Sequence, residues 1–185
     1  MNTLGWPYDF DVQVLQTIHK SVPSGFEPMM DAITTLGSVR VLGGWVVIAL
    51  LILIRQRRWK SALLVFAAGL LTPLLIEGLK LAFHRTRPEL WPRFPDASYS
   101  FPSGHALGSV VVYGVLIYLI GRTWPRWRPV LWRLYLILVV MIGFSRLYLG
   151  LHWPTDVIGS WVAGAVLLFS LIYWHEERYR ADVAG

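Results

Sequence analysis

A chain of 185 residues that is 55% hydrophobic and only 15% charged, with a mean hydropathy of +0.51, suits one integral membrane domain and excludes an ordinary water-soluble globule. The absence of cysteine excludes disulfides and thiolate metal sites. The net charge of +6 raises nucleic acid as a partner, but the distribution of that charge, set out below, argues against it.

Met1 to Lys20 has neither a basic leader nor an apolar h-region, so no cleavable signal peptide is expected there. Phe10, Val12, Val14, Leu15 and Ile18 give this stretch an amphipathic pattern. It reads equally as a helix in the membrane interface or as a surface helix packed on a bundle. Five segments then follow that are long and apolar enough to cross a ~30 Å hydrocarbon core. They run roughly over Ala32–Ile54, Ser61–Phe83, Gly104–Gly121, Leu131–Leu149 and Thr155–Trp174. The expected fold is therefore all-α: one domain over 1–185, an integral membrane bundle of about five helices plus the N-terminal amphipathic helix. The ten tryptophans fit an interfacial aromatic belt or packing between helices.

Arg55, Arg57, Arg58 and Lys60 follow the first span, and Arg122, Arg126, Arg128 and Arg133 follow the third, with no acid in either loop. The positive-inside rule places both loops in the cytoplasm. These eight of the seventeen basic residues set topology, which removes the case for nucleic acid. By parity, the end of the second span, the start of the third, the end of the fourth and the start of the fifth share the outer face. The expected location is a multi-pass cell (inner) membrane protein whose polar residues gather on the extracytoplasmic side.

Those polar residues carry the chemistry. Charges beside hydrocarbon are costly, so ionisable groups at span ends are functional candidates. Ser103 before an apolar helix is a good N-cap, Gly104 admits a ligand to the backbone, and the helix N-terminus attracts phosphate oxygens. His105 sits in the first turn of the same helix. Lys80 and Arg87 are seven apart and would share a face if the second helix runs on to Arg87 and stops at Pro88. A point charge and a planar fork aimed alike would clamp a tetrahedral anion. His152 and Asp156 are four apart across Pro154, so the carboxylate can accept the Nδ1 proton and leave Nε2 as a nucleophile. Arg146, at the end of the fourth span, can meet the same anion. Each piece alone also has a plain reading: an ordinary helix cap, snorkelling cations, a His-Asp pair that merely caps a helix. For Arg85 the snorkelling reading is the better one.

His105, His152 and Asp156 do form a known facial metal-ligand set. Three nearby cations oppose a divalent ion, so neither a metal nor a cofactor is expected. Glu77 lies one turn before Lys80 and is placed to neutralise it. Trp91, Tyr99 and Phe101 stand where they would line a lipid entrance.

Taken together, Lys80-x6-Arg87-Pro88, then Pro102-Ser103-Gly104-His105, then Ser145-Arg146-x5-His152-x3-Asp156 resembles the three-part signature of the type-2 phosphatidic acid phosphatase superfamily. The motif core covers 80–156. Bacterial members of this type usually have six membrane helices, against the five counted here. The resemblance implies a membrane lipid phosphate phosphatase in which His152 attacks phosphorus and Asp156 orients its ring. His105 protonates the leaving oxygen, and Lys80, Arg87, Ser103, Gly104 and Arg146 hold the phosphate. The expected substrate is a membrane lipid phosphate: phosphatidylglycerol phosphate, phosphatidic acid or a polyprenyl diphosphate. Two alternatives stay open: a phosphotransferase using the same site, and an anion-pathway transporter.

Overall fold

The computed structural model describes residues 8–90 and 98–184; Trp91 lies outside them. Every regular element among the described residues is helical. In chain order they are α1 (Tyr8–Ser21), α2 (Glu27–Leu36), α3 (Val39–Arg55), α4 (Trp59–Phe83), α5 (Gly104–Thr123), α6 (Arg128–Tyr148) and α7 (Pro154–Ala184), with single 3₁₀ turns before α2 and α6. Five helical stretches are long and apolar enough to cross a bilayer: Ser24–Arg55, Trp59–Phe83, Gly104–Thr123, Pro125–Tyr148 and Pro154–Arg180.

The bundle is built around α5. Two-thirds of its apolar window is buried, against a third or less for each of the other spans. Leu107, Val111 and Val115 of α5 pack with Leu64, Val65 and Ala68 of α4, Tyr135 and Val139 of α6 and Leu168 and Leu171 of α7. The α5–α7 contact is close because it is made through glycine. A Cβ at Gly114 would stand 2.5 Å from Leu168 Cδ2, and one at Gly164 would stand 2.9 Å from Val110 Cβ. The opposite face of α7 (Ile158, Val162, Val166, Phe169, Tyr173) is exposed apolar surface at helical spacing. Apolar on both faces, with the tighter face inward, is the pattern of a helix solvated by lipid.

Two boundaries depart from the sequence expectation, and one conditional extension of a span fails. The first span is broken at Gly37-Ser38, where the Ser38 hydroxyl caps α3 by accepting from Val41 N at 3.4 Å. The segment before the break, α2, packs on α6, while α3 packs on α4 and α5. The second helix does not reach Arg87. It ends at Phe83, because His84 takes a left-handed conformation (φ 46°) and its ring meets Tyr99 edge to face at 4.6 Å. Lys80 and Arg87 therefore do not share a helix face. The last helix runs on past Trp174 to Ala184. At the N-terminus, α1 packs on the bundle: Asp11 and Leu15, one turn apart on one face, are buried, and Phe10 is exposed.

Candidate active site

His152 lies in the short connection between α6 and α7, beyond a turn that Gly150 makes at φ 65°, a conformation L side chains disfavour. It is buried, and its two ring nitrogens have different partners. Nδ1 is 2.8 Å from the carbonyl oxygen of Ser100, which can only accept, so Nδ1 carries the proton. Nε2 is then a lone pair, and it accepts from Arg87 Nη1 at 3.2 Å. Burial, with Arg146 and Arg87 adding to it against the opposing pull of Asp156, lowers the His152 pKa from its usual 6.5 to about 4. The ring is neutral near pH 7, the state a nucleophile needs.

Asp156 does not take the Nδ1 proton, as its spacing suggested. Its Oδ2 stands 3.7 Å from Nδ1 and accepts instead from the Ser100 hydroxyl and from Trp153 N, the latter at 2.9 Å. Its Oδ1 accepts from Arg85 Nη1 at 2.5 Å. A backbone carbonyl has replaced the carboxylate as the tautomer-setting partner because the connection carrying Ser100 lies between them. Asp156 acts on His152 through Ser100 and through its charge.

Arg87 is held in the same connection. Its Nε donates to Ser98 O (3.0 Å), Nη2 to Ser98 Oγ (2.8 Å) and Nη1 to Leu151 O (2.7 Å). Arg146 is buried in the last turn of α6 and donates from Nη1 to Thr34 Oγ1 of α2 at 2.9 Å. His105, in the first turn of α5, lies within Coulombic reach of Arg146, His152 and Arg87. The break in the first span abuts it: a Cβ at Gly37 would be 3.1 Å from His105 Cβ and 2.7 Å from Ile142 Cγ2. Ser103 is fully buried, its Oγ accepting weakly from Ala106 N at 3.4 Å and its N–H donating to Ser160 Oγ at 2.8 Å. The hydroxyl proton and the first-turn N–H groups of Gly104 and His105 remain the donors this helix end can offer. Lys80 is mostly buried and paired with Glu77 Oε1 at 3.1 Å, as the one-turn spacing anticipated.

Lys80, Gly104 and His105 open on a cavity of about 420 Å³ between α3, α4 and α5. Glu77 and Thr72 also line it, and the rest of its wall is mainly apolar, with Leu42, Val46, Ile76 and Val112. A charged anion site at one end of a hydrocarbon-lined slot is the arrangement an amphiphile with an anionic head requires. Phe101, by contrast, does not line an entrance: it is buried and meets Phe83 edge to face at 4.8 Å. Tyr99 is partly exposed beside His84.

Sequence reasoning missed Arg85, Asp11, Ser100 and Thr34. Arg85 is no snorkelling residue: it is 4% exposed, bound to Asp156 on one side and, through Nη2, to Asp11 at 2.5 Å on the other. The signal available was Asp11 itself, an acid one turn from Leu15 on what becomes the buried face of α1.

Fold and site together define a multi-pass helical membrane phosphatase. The chain belongs to the PAP2 superfamily, whose family model matches residues 60–180. It is 32% identical over 156 residues to phosphatidylglycerophosphatase B of Bacillus subtilis, covering 82% of this chain and 76% of that one. It is 30% identical over 168 residues to an undecaprenyl-diphosphatase of Sulfolobus acidocaldarius, covering 86% and 76%. The fold is similar to that of the crystal structure of a transmembrane PAP2 type phosphatidylglycerolphosphate phosphatase from Bacillus subtilis. The TM-score is 0.83 at 28% identity, with 92% of this chain and 86% of that one covered. The superfamily resemblance carried by the motifs is thus met, and the chain is a lipid phosphate hydrolase of this family.

Proposed function

We propose that the chain removes phosphate from a membrane lipid phosphate by way of a phosphohistidine on His152, without a metal, on the extracytoplasmic face of the cell (inner) membrane. The lipid is phosphatidylglycerol phosphate, phosphatidic acid or a polyprenyl diphosphate. The observation that carries the reading is the His152 ring: proton fixed on Nδ1 by Ser100, lone pair on Nε2, and Arg87 beside that lone pair. A phosphate drawn to Arg87, Arg146, Lys80 and the α5 N-terminus meets Nε2 directly.

In the first step Nε2 forms a bond to phosphorus as the bond to the lipid oxygen breaks. His105 acts as the general acid and delivers a proton to that oxygen. The phosphorylated ring is cationic, with its Nδ1–H still on Ser100 O and Asp156 behind it. In the second step His105 takes a proton from water, the water oxygen attacks phosphorus, and the P–N bond breaks to return neutral His152 and free phosphate. Arginine and lysine side chains supply the positive charge that stabilises the non-bridging oxygens in both steps.

The test is phosphate release from these three lipids in detergent micelles containing EDTA, by the parent and by His152→Ala. Activity that survives EDTA, is lost in the variant, and passes through an acid-labile, alkali-stable phosphoenzyme is expected. Parental activity in His152→Ala overturns the mechanism.

A further inference from the structure

We infer that Asp11 is a positioning residue for the reaction: through Arg85 it holds the carboxylate of Asp156 behind His152, making the N-terminal helix a working part of the site. The inference rests on His152 as the attacking group. Asp11 lies well before the matched family region of 60–180, and the motifs do not include it.

The connection is continuous and buried. The Asp11 side chain is fully buried. Its Oδ1 accepts from Thr155 N at 2.9 Å, and its Oδ2 from Thr155 Oγ1 at 2.7 Å and Arg85 Nη2 at 2.5 Å. Arg85 Nη1 in turn donates to Thr155 Oγ1 at 2.7 Å and to Asp156 Oδ1 at 2.5 Å. The guanidinium also lies 5.7 Å from the centre of the Trp153 ring, beside His152 in the chain. One carboxylate from α1 thus fixes the first turn of α7 and the cation that fixes Asp156.

Charge gives the arrangement a catalytic consequence. Among the described residues, two carboxylates face the Arg85 guanidinium, all at 2% exposure or less, so this trio carries one negative charge on the Nδ1 side of His152. When Nε2 takes the phosphoryl group the ring becomes cationic, and in a low-dielectric interior that negative charge stabilises it. Without Asp11, Arg85 and Asp156 are a neutral pair, and the guanidinium loses the carboxylate that balances the pull of Asp156, so Asp156 is held less firmly on Ser100.

Steady-state hydrolysis of dioleoyl phosphatidic acid in detergent micelles tests this. Asp11→Asn is expected to lower kcat roughly tenfold or more with KM changed less than about twofold, since small displacements of catalytic groups cost one to two decades. Asp11→Glu, which keeps the charge, is expected to recover most of the rate. A folded Asp11→Asn with parental kcat, or an Asp11→Glu no better than it, overturns the inference. So does a loss that comes only from less folded enzyme, with turnover per folded molecule intact. Should Asp11→Asn not fold, Thr155→Val decides, because it removes the bridging hydroxyl and keeps the shape: a fall in kcat at constant KM supports the inference and an unchanged kcat sinks it. His152→Ala separates the two levels. If it stays active the site reading fails, whereas an inactive His152→Ala beside a parental Asp11→Asn removes the positioning role alone.

Discussion

The Nδ1 of His152 donates to the carbonyl of Ser100 at 2.8 Å, while Asp156, the residue whose spacing fits that role, stands 3.7 Å away and binds the Ser100 hydroxyl instead. Ser100 is thus inserted between base and acid with both of its polar groups in use. A backbone carbonyl cannot be lost by substitution, so the tautomer of His152 is fixed by the path of the chain. What Asp156 contributes is negative charge and the placement of Ser100.

This separates two variants. Ser100→Ala keeps the carbonyl and loses only the hydroxyl, so a kcat decrease of about tenfold is expected, the low end of what one hydrogen bond to a charged group is worth. Asp156→Ala removes the charge and takes from Arg85 one of the two carboxylates it binds among the described residues. A decrease on the order of a hundredfold or more is expected, in the range of a lost acid–base partner. Turnover measured per folded molecule decides. Equal losses for the two would show that Asp156 acts only by holding the Ser100 side chain.

The pH dependence follows from the depressed His152 pKa of about 4. The attacking form is neutral, so the acid limb of kcat/KM contributed by this group is expected near pH 4 and not near 6.5. Stability carries the same sign. Between about 4 and 6.5 the unfolded histidine binds a proton and the native one does not. Stability is therefore full above about 6.5 and falls as pH drops through that window. A thermal unfolding midpoint that falls less steeply across this range in His152→Gln than in the parent is the check. Parallel curves would remove His152 as the source.

The five spans were legible, and the motif residues stand out at their ends, because each signal is local. A span is an unbroken apolar run, and Lys80, His105, Arg146 and Asp156 mark where such runs begin or end. The rest depends on contacts no local pattern carries. Asp11 and Arg85 are 74 residues apart, and their pairing exists only because α1 folds back on the start of α7. The role of Ser100 rests on a main-chain oxygen, which has no sequence signature. The span's end at Phe83 was legible, but the conditional extension to Arg87 fails because His84, not Pro88, stops the helix by taking a positive φ, a choice open to histidine but not required of it.

If Lys80 holds the phosphate as proposed, Glu77 competes with the substrate for it. The pair is 3.1 Å apart, and the Glu77 side chain is 64% exposed. An exposed pair of this kind is worth at most about 1 kcal/mol, so releasing the lysine improves anion binding by no more than about fivefold. Glu77→Gln is therefore expected to lower KM and the inhibition constant of inorganic phosphate by two- to fivefold, with kcat little changed. Lys80→Met is expected to raise both. A Glu77→Gln enzyme that binds phosphate more weakly would show that Glu77 serves to aim Lys80 at the phosphate.

The cavity between α3, α4 and α5 gives a way to separate lipid binding from chemistry. Gly43 lines it, and a Cβ built there meets nothing within 4 Å. The Cβ of a leucine at this position therefore meets no neighbour, in a helix interior where leucine also replaces the least helix-favouring residue short of proline. If the slot receives the hydrocarbon part of the substrate, Gly43→Leu removes room for a chain and leaves the polar end untouched. Hydrolysis of a long-chain lipid phosphate is expected to fall by roughly tenfold or more in kcat/KM, the scale of one to three kcal/mol for a misfit in an apolar pocket. Hydrolysis of a short water-soluble phosphate monoester is expected to stay at the parental rate, because Lys80, Arg87, His105, Arg146 and His152 are unaltered. Equal loss on both substrates would mean that the leucine disturbs the site itself, and equal retention would mean that the lipid enters by another face of the bundle.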